Sequence, residues 1–147
     1  MATMTVVAIA EVLGGKKVLK KRVGTPAQLM TLIREGLPAD ILPSIAAELS
    51  MDRSAVAKVV GISGRTLSRR LASRSRLSAE ESDRMVRLAR VLALANDTLG
   101  DRTKASRWLQ TPNRALQGST PFELLDTDAG VQSVETILGR IAYGIYS

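Results

Sequence analysis

Arg65 and Arg69 stand one helical turn apart in the run Ser63-Gly64-Arg65-Thr66-Leu67-Ser68-Arg69-Arg70-Leu71. Two guanidinium forks at that spacing can each take guanine O6 and N7 bidentately, or grip a phosphate. If Leu67 and Leu71 point inward, about 100° per residue puts Arg65, Ser68, Arg69 and Ala72 on the opposite side. Thr66, Arg70 and Arg74 flank that face and suit backbone phosphates. The free N–H groups near Ser63 and Gly64, at the start of the helix, offer another phosphate contact. Arg70 stands where such helices often carry an apolar residue, so it is expected at the rim of the core with its stem packed down.

Catalytic chemistry finds little to work with. The chain has no Cys and no His, which removes disulfides, zinc fingers, iron–sulfur clusters, thiol nucleophiles and histidine bases together. The most suggestive carboxylate pairs are Asp126 with Asp128 and Glu80 with Glu81, yet both fall at helix starts, where the dipole favours acids. No glycine-rich phosphate loop follows a strand, and no Ser–Lys pair sits in a recognisable catalytic motif. The expectation is a binding protein, not an enzyme, with no metal and no cofactor of its own.

The net charge is +7 over 147 residues, and its distribution is uneven. Residues 1–76 hold 13 Lys/Arg against 5 Asp/Glu, a net of +8, while the remainder holds 8 against 9, a net of −1. A basic first half suits phosphate backbones; the bland alternative is a solvated basic face. The apolar stretch Thr5–Leu13 is short, lacks a basic leader and contains Glu11, and no apolar run approaches the roughly 20 residues of a membrane span. A cytoplasmic protein with no membrane contact is expected.

The elements that must position the arginines are punctuated clearly. Thr25-Pro26-Ala27-Gln28 opens a helix that Gly36 ends, and Leu37-Pro38 breaks the chain. Pro43 is expected to open the next helix, through Ile45, Ala46 and Leu49. From Arg53 to Leu71 the chain reads as a helix-turn-helix: Ala57 permits a close crossing, Gly61 takes the positive φ of the turn, Val60 and Ile62 fill the core, and Ser63 caps the second helix. Ser78-Ala79-Glu80-Glu81 is a capping box opening a long helix with Met85, Leu88, Leu92, Ala95 and Leu99 on one face, ended by Gly100. Asp101 caps a helix carrying Ala105, Trp108 and Leu109, before Pro112. Thr120-Pro121-Phe122-Glu123 repeats the threonine–proline opening, and the last helix aligns Val131, Val134, Leu138, Ile141 and Ile145. Val6–Leu13 suggests a helix closed by Gly14-Gly15, and Lys16–Val23 suggests a short strand. The cationic run Lys16–Arg22 reads as a DNA-contacting arm or a solvated edge. The fold class is all-α: an N-terminal helix-turn-helix domain packed with a C-terminal helical domain. The expected division is 1–76, a basic DNA-binding region with its helix-turn-helix at about 52–74, and 77–147, a second helical domain. One such helix reads only a few base pairs, so a homodimer on two half-sites of duplex DNA is expected.

The second half carries a more specific pattern. Arg107-Trp108-Leu109 leads to Asn113-Arg114-Ala115-Leu116-Gln117-Gly118, then Thr120-Pro121-Phe122-Glu123, and finally Gly139-Arg140-Ile141-Ala142-Tyr143-Gly144-Ile145-Tyr146. With Gly36-Leu37-Pro38 and the helix-turn-helix, this resembles the Xre/MbcA/ParS antitoxin family, the partners of RES-domain toxins, over roughly residues 36–147. The resemblance implies a type II antitoxin that binds its own promoter and covers the entrance to the NAD pocket of a RES toxin with its C-terminal end, and it makes 77–147 the toxin-binding and dimerisation domain. It implies Arg140, Tyr143, Tyr146 and Ser147 as toxin-binding residues, with NAD belonging to the toxin. Independently, aromatics and arginine are common interface anchors, and an apolar terminus wants a partner. The alternative is that both tyrosines fold back on the chain's own core. Trp108 is expected in that core, and Asn113 and Gly118 serve turn and cap chemistry. A stand-alone dimeric helix-turn-helix regulator and a pure interaction module are the competing functions.

Overall fold

A computed structural model of the chain describes residues 5–144. Its centre is the long helix Ala79–Leu99, here α7, the seventh of nine α-helices among the described residues. The capping box starts it: Ser78 Oγ accepts from the Glu81 N–H at 3.1 Å, and Glu81 Oε1 accepts from the Ser78 N–H at 2.8 Å. From Ser82 onward its buried side chains include Met85, Val86, Leu88, Ala89 and the unbroken run Val91–Ala95. A helix with so wide an apolar face must be covered on several sides, while Glu80, Asp83, Arg87 and Arg90 run as a polar stripe along what is left. The covering is done by α1 (Val6–Val12), α3 (Pro26–Glu35), α8 (Arg102–Leu109) and α9 (Asp128–Ala142), with α5 (Arg53–Val60) touching as well. The buried residues of both halves of the chain form one continuous cluster. No helix among the described residues is long and apolar enough to cross a membrane.

The N-terminal segment differs from its expected form. Lys16–Val23 does not extend into a strand; Gly15–Leu19 forms a short helix, α2. Gly14 at φ +106° turns the chain, and Val18 folds so closely over it that a Cβ there would meet Val18 Cγ2 at 2.4 Å. Leu19 and Val23 are then buried, while Lys16, Lys17, Lys20, Lys21 and Arg22 remain exposed. Lys21 Nζ donates to Glu35 at 2.8 Å.

A clamp fastens α3 and α4 (Ile41–Glu48) to the start of α7. Ser82, the one buried polar side chain among the described residues, accepts the Leu37 N–H at 2.8 Å. The Leu77 N–H bonds the Leu37 carbonyl at 2.8 Å, and Arg76 Nη1 donates to the Gly36 carbonyl at 2.7 Å. A Cβ on Gly36 would lie 2.2 Å from the Leu77 carbonyl oxygen, so the Gly36-Leu37-Pro38 turn tolerates no side chain at its first position. Helix α4 starts at Ile41 and not at Pro43, because all first-turn N–H groups lack intrahelical partners and a third-position proline costs nothing there.

The last element also starts later than the threonine–proline repeat suggests. Thr120 Oγ1 accepts the Glu123 N–H at 3.2 Å but opens only a 3₁₀ turn, Phe122–Asp126. Thr127, in extended backbone, then caps α9 through the Gly130 N–H at 3.0 Å. A Cβ on Gly130 would fall 1.8 Å from the Leu124 carbonyl, so the two caps can follow closely only with glycine there. Val131, Val134 and Leu138 are buried against α7 and Ile141 is half-buried; Ile145 lies outside the described residues. Arg87–Asp128 at 3.2 Å and Arg90–Glu135 at 3.0 Å tie α9 to α7 at its edges.

Burial of Glu81 opposes its charge, yet the Ser78 N–H and the Arg70 guanidinium together hold its carboxyl below the ordinary value. A depressed carboxyl contributes stability above its unfolded pKa and loses it as pH falls through the folded one. Glu81→Gln keeps the cap but loses the charge, and should destabilise by about 1–2 kcal/mol at pH 7. In denaturant titrations the gap to wild type should shrink below pH 4.5, the ordinary value; a gap independent of pH would refute the ion-pair account.

Candidate nucleic-acid interface and C-terminal surface

The turn between α5 and α6 (Gly64–Ser73) is closed from three directions. Gly61 at φ +81° reverses the chain and donates to the Lys58 carbonyl at 3.2 Å, and the Ile62 N–H reaches the Ala57 carbonyl at 2.8 Å. Arg84, from α7, donates through Nη1 to the Val60 carbonyl at 2.9 Å. A Cβ on Gly61 would stand 2.9 Å from that guanidinium, so glycine serves both the backbone angle and the arginine. Arg84 has no sequence signal, since its partner lies 24 residues away and on another helix.

Ser63 caps α6 by accepting the Thr66 N–H at 3.1 Å and donates its own hydroxyl to Thr66 Oγ1 at 2.9 Å. The Thr66 hydroxyl is therefore engaged by the cap and half-buried. Leu67 is buried and Leu71 packs half-buried against the core, which orients the helix as the spacing requires. Arg65, Ser68, Arg69, Ala72 and Arg74 are exposed, with Gly64 at the leading end. Arg65, Arg69 and Arg74 form no ion pair among the described residues. Arg74 adopts φ +54° and ends the helix, its N–H bonding back to Leu71.

Arg70 departs from the phosphate-contact set assigned from sequence. Its guanidinium pairs with Glu81, and the two side chains are only 20% and 14% exposed. The stem lies at the core rim as expected, but the charge is turned to α7 and pins the recognition helix in place, away from the open face. Two cations that spacing did not single out, Arg53 and Lys58, stand exposed on α5, the helix that crosses the backbone in this motif.

At the other end, α9 exposes Gln132, Ser133, Thr136 and Arg140. Tyr143 caps the helix through its N–H to the Gly139 carbonyl at 3.1 Å, and the residue is 61% exposed, so it does not fold back on the core. Arg140 and Tyr143 are thus neighbours on one open end. Tyr146 and Ser147 lie outside the described residues. Trp108 is half-buried against the core. Asn113 accepts the Ala115 N–H at 2.9 Å, and the Gly118 N–H, from φ +88°, closes on the Asn113 carbonyl at 3.0 Å. An open cleft of about 550 Å³ separates α5 from the Phe122 turn, with Lys58 on one wall and Glu123 and Asp126 on the other. No cluster among the described residues has the His, Cys, Asp or Glu ligands to hold a metal ion.

Comparison with known proteins finds two matched stretches that meet within α7. Residues 28–90 match the antitoxin Xre-like helix-turn-helix domain, and residues 94–144 match the antitoxin Xre/MbcA/ParS C-terminal toxin-binding domain. A relative from Photorhabdus laumondii subsp. laumondii, named antitoxin Xre, is 35% identical over 134 residues, covering 88% of this chain and 90% of its own. A relative from a Sphingobium species, named Prs ADP-ribosylating antitoxin, is 26% identical over 132 residues, covering 84% and 83%. The crystal structure of the M. tuberculosis MbcT–MbcA toxin–antitoxin complex contains a chain 26% identical, with a TM-score of 0.55 over 74% of this chain and 96% of that one.

The divided roles of the arginines predict divided phenotypes. Arg65→Ala with Arg69→Ala should lower affinity for a cognate duplex by a hundredfold or more, at about 1–3 kcal/mol for each bidentate contact, without changing the melting temperature. Arg70→Ala should do the opposite, lowering the melting temperature while sparing sequence preference. Equal effects of the two substitutions on DNA binding, read by fluorescence anisotropy, would put Arg70 back on the DNA.

Proposed function

Because this chain belongs to the Xre/MbcA/ParS antitoxin family, a component of toxin–antitoxin systems, we propose that it neutralises a co-expressed RES-domain toxin and represses its own operon. Neutralisation falls to the C-terminal end: Arg140, Tyr143, Tyr146 and Ser147 cover the entrance to the NAD pocket of the toxin. The observation that carries this reading is the pairing of an open arginine and a largely exposed tyrosine at the end of α9, within the stretch that matches a toxin-binding domain. Tyrosine and arginine are among the residues enriched where interfaces are anchored. The name of the Sphingobium relative points to the same chemistry, since ADP-ribosyl transfer consumes NAD.

Repression falls to the first half. Arg65, Ser68 and Arg69 read base edges in the major groove, while Arg74 and the N–H groups at Ser63 and Gly64 hold phosphates. Two copies of the chain, joined through the C-terminal half, place two recognition helices on half-sites one helical turn apart. The functional division falls at residues 1–76 and 77–147, although α7 belongs structurally to both. The chain acts by binding alone, and the NAD chemistry is the partner's.

Deletion of Tyr143–Ser147 tests the neutralising end, since the anchors Val131, Val134 and Leu138 remain. Cells expressing the adjacent reading frame should stop growing and lose NAD. The full chain should restore both, and the deleted chain should fail to restore either while still binding its promoter. Full protection by the deleted chain would remove the tail from the mechanism. A harmless neighbour that does not co-purify would leave a dimeric transcription regulator.

A further inference from the structure

We infer that the cationic segment Lys16–Arg22 is a second contact for the DNA backbone, one that extends the footprint beyond the helix-turn-helix. It rests on the DNA-binding reading above and adds a surface that lies outside the stretch matching the helix-turn-helix domain, which begins at residue 28.

The segment is fixed in place. Ile9, Ala10, Val12 and Leu13 are buried, with α1 packed on α7, and Leu19 and Val23 are buried on either side of the cationic loop. What it presents is five exposed cations in seven residues, in a stretch where Glu11 is the only acid before Glu35. Among the described residues only Lys21 has a carboxylate partner, Glu35 at 2.8 Å. Unpaired like charges at this density repel one another, and an opposing anion relieves that repulsion.

Its position joins it to the recognition helix. Glu35 ends α3, and its carboxyl is held below the ordinary value first by Lys21 and further by the field of Arg76. Arg76 bonds the Gly36 carbonyl and lies two residues beyond Arg74, the end of α6. Through the Lys21–Glu35 pair and the neighbouring Arg76–Gly36 bond the segment is tied to the turn that follows α6, and the inferred contact runs from Arg74 across that turn to the cationic segment. Lysines of this kind contact phosphates without reading sequence, and each contact made adds close to one unit to the salt slope of binding.

The test is the combined variant Lys16→Ala, Lys17→Ala and Arg22→Ala, titrated with the duplex upstream of its own gene and with a scrambled duplex at several salt concentrations. All three positions are exposed, so thermal melting should match wild type. Affinity should fall tenfold or more on both duplexes, the slope of log K against log salt should become shallower by about two to three, and hydroxyl-radical protection should shorten at the edges of the site. Unchanged affinity and slope, with the wild type binding normally, would overturn this contact and leave the helix-turn-helix reading intact. Failure of the wild type to bind either duplex would overturn both. Normal DNA binding with loss of toxin co-purification would overturn the DNA contact in favour of an acidic protein surface.

Discussion

The wide buried face of α7 is the constraint on which the rest of the molecule depends. A helix whose side chains from Met85 to Ala95 are apolar on several faces cannot stand at the edge of one domain. It draws α1, α3, α8 and α9 against itself, so the two halves of the chain share a single core. The clamp at its start makes the sharing specific. Ser82 satisfies the Leu37 N–H inside the core, where an unpaired N–H would cost about 1–3 kcal/mol, and Gly36 gives the Leu77 carbonyl room to approach.

Arginines divide by role along this spine. Arg70, Arg76, Arg84, Arg87 and Arg90 are held by Glu81, the Gly36 carbonyl, the Val60 carbonyl, Asp128 and Glu135. Each links α7 or its leading turn to another element. Arg65, Arg69 and Arg74 carry the same charge but face open space. Net charge alone therefore overstates the binding surface, because part of the positive half is internal mortar. The division suits the matched helix-turn-helix domain: one set of arginines mounts α6 stiffly on α7, and the other leaves its outer face free.

Much of this was legible from residue order because caps and turns are local. Thr25 with Gln28, Ser78 with Glu81, Asp101, Gly36 and Gly100 mark helix ends through bonds spanning three or four residues, and the structure honours each. Gly61 and Ser63 located the helix-turn-helix for the same reason. What escaped depends on distance in sequence. Alternation in Lys16–Val23 suggested a strand, but Val18 closing over Gly14 and the packing of α2 on α1 with Leu19 buried impose a helix. Arg70 looked like a phosphate ligand until Glu81, on another helix, claimed it. Thr120 and Thr127 offer similar caps, and only the close passage of Gly130 over Leu124 decides that the second opens α9. The surface assigned to the toxin rests on family resemblance and on the exposure of Tyr143; nothing in its local spacing identifies a partner.

The central claim is that one cooperative core carries both surfaces, and the single tryptophan makes it measurable. Trp108 lies on α8 in the second half, far in sequence from the Gly36 clamp. Gly36→Ala should strain the clamp through both φ +95° and the Leu77 carbonyl. Thermal unfolding followed by Trp108 fluorescence and by far-ultraviolet circular dichroism should then show one transition, displaced downward by the same amount in both signals. A Trp108 midpoint that stays at its wild-type value while helicity is lost earlier would mean two independent units, and would contradict the account.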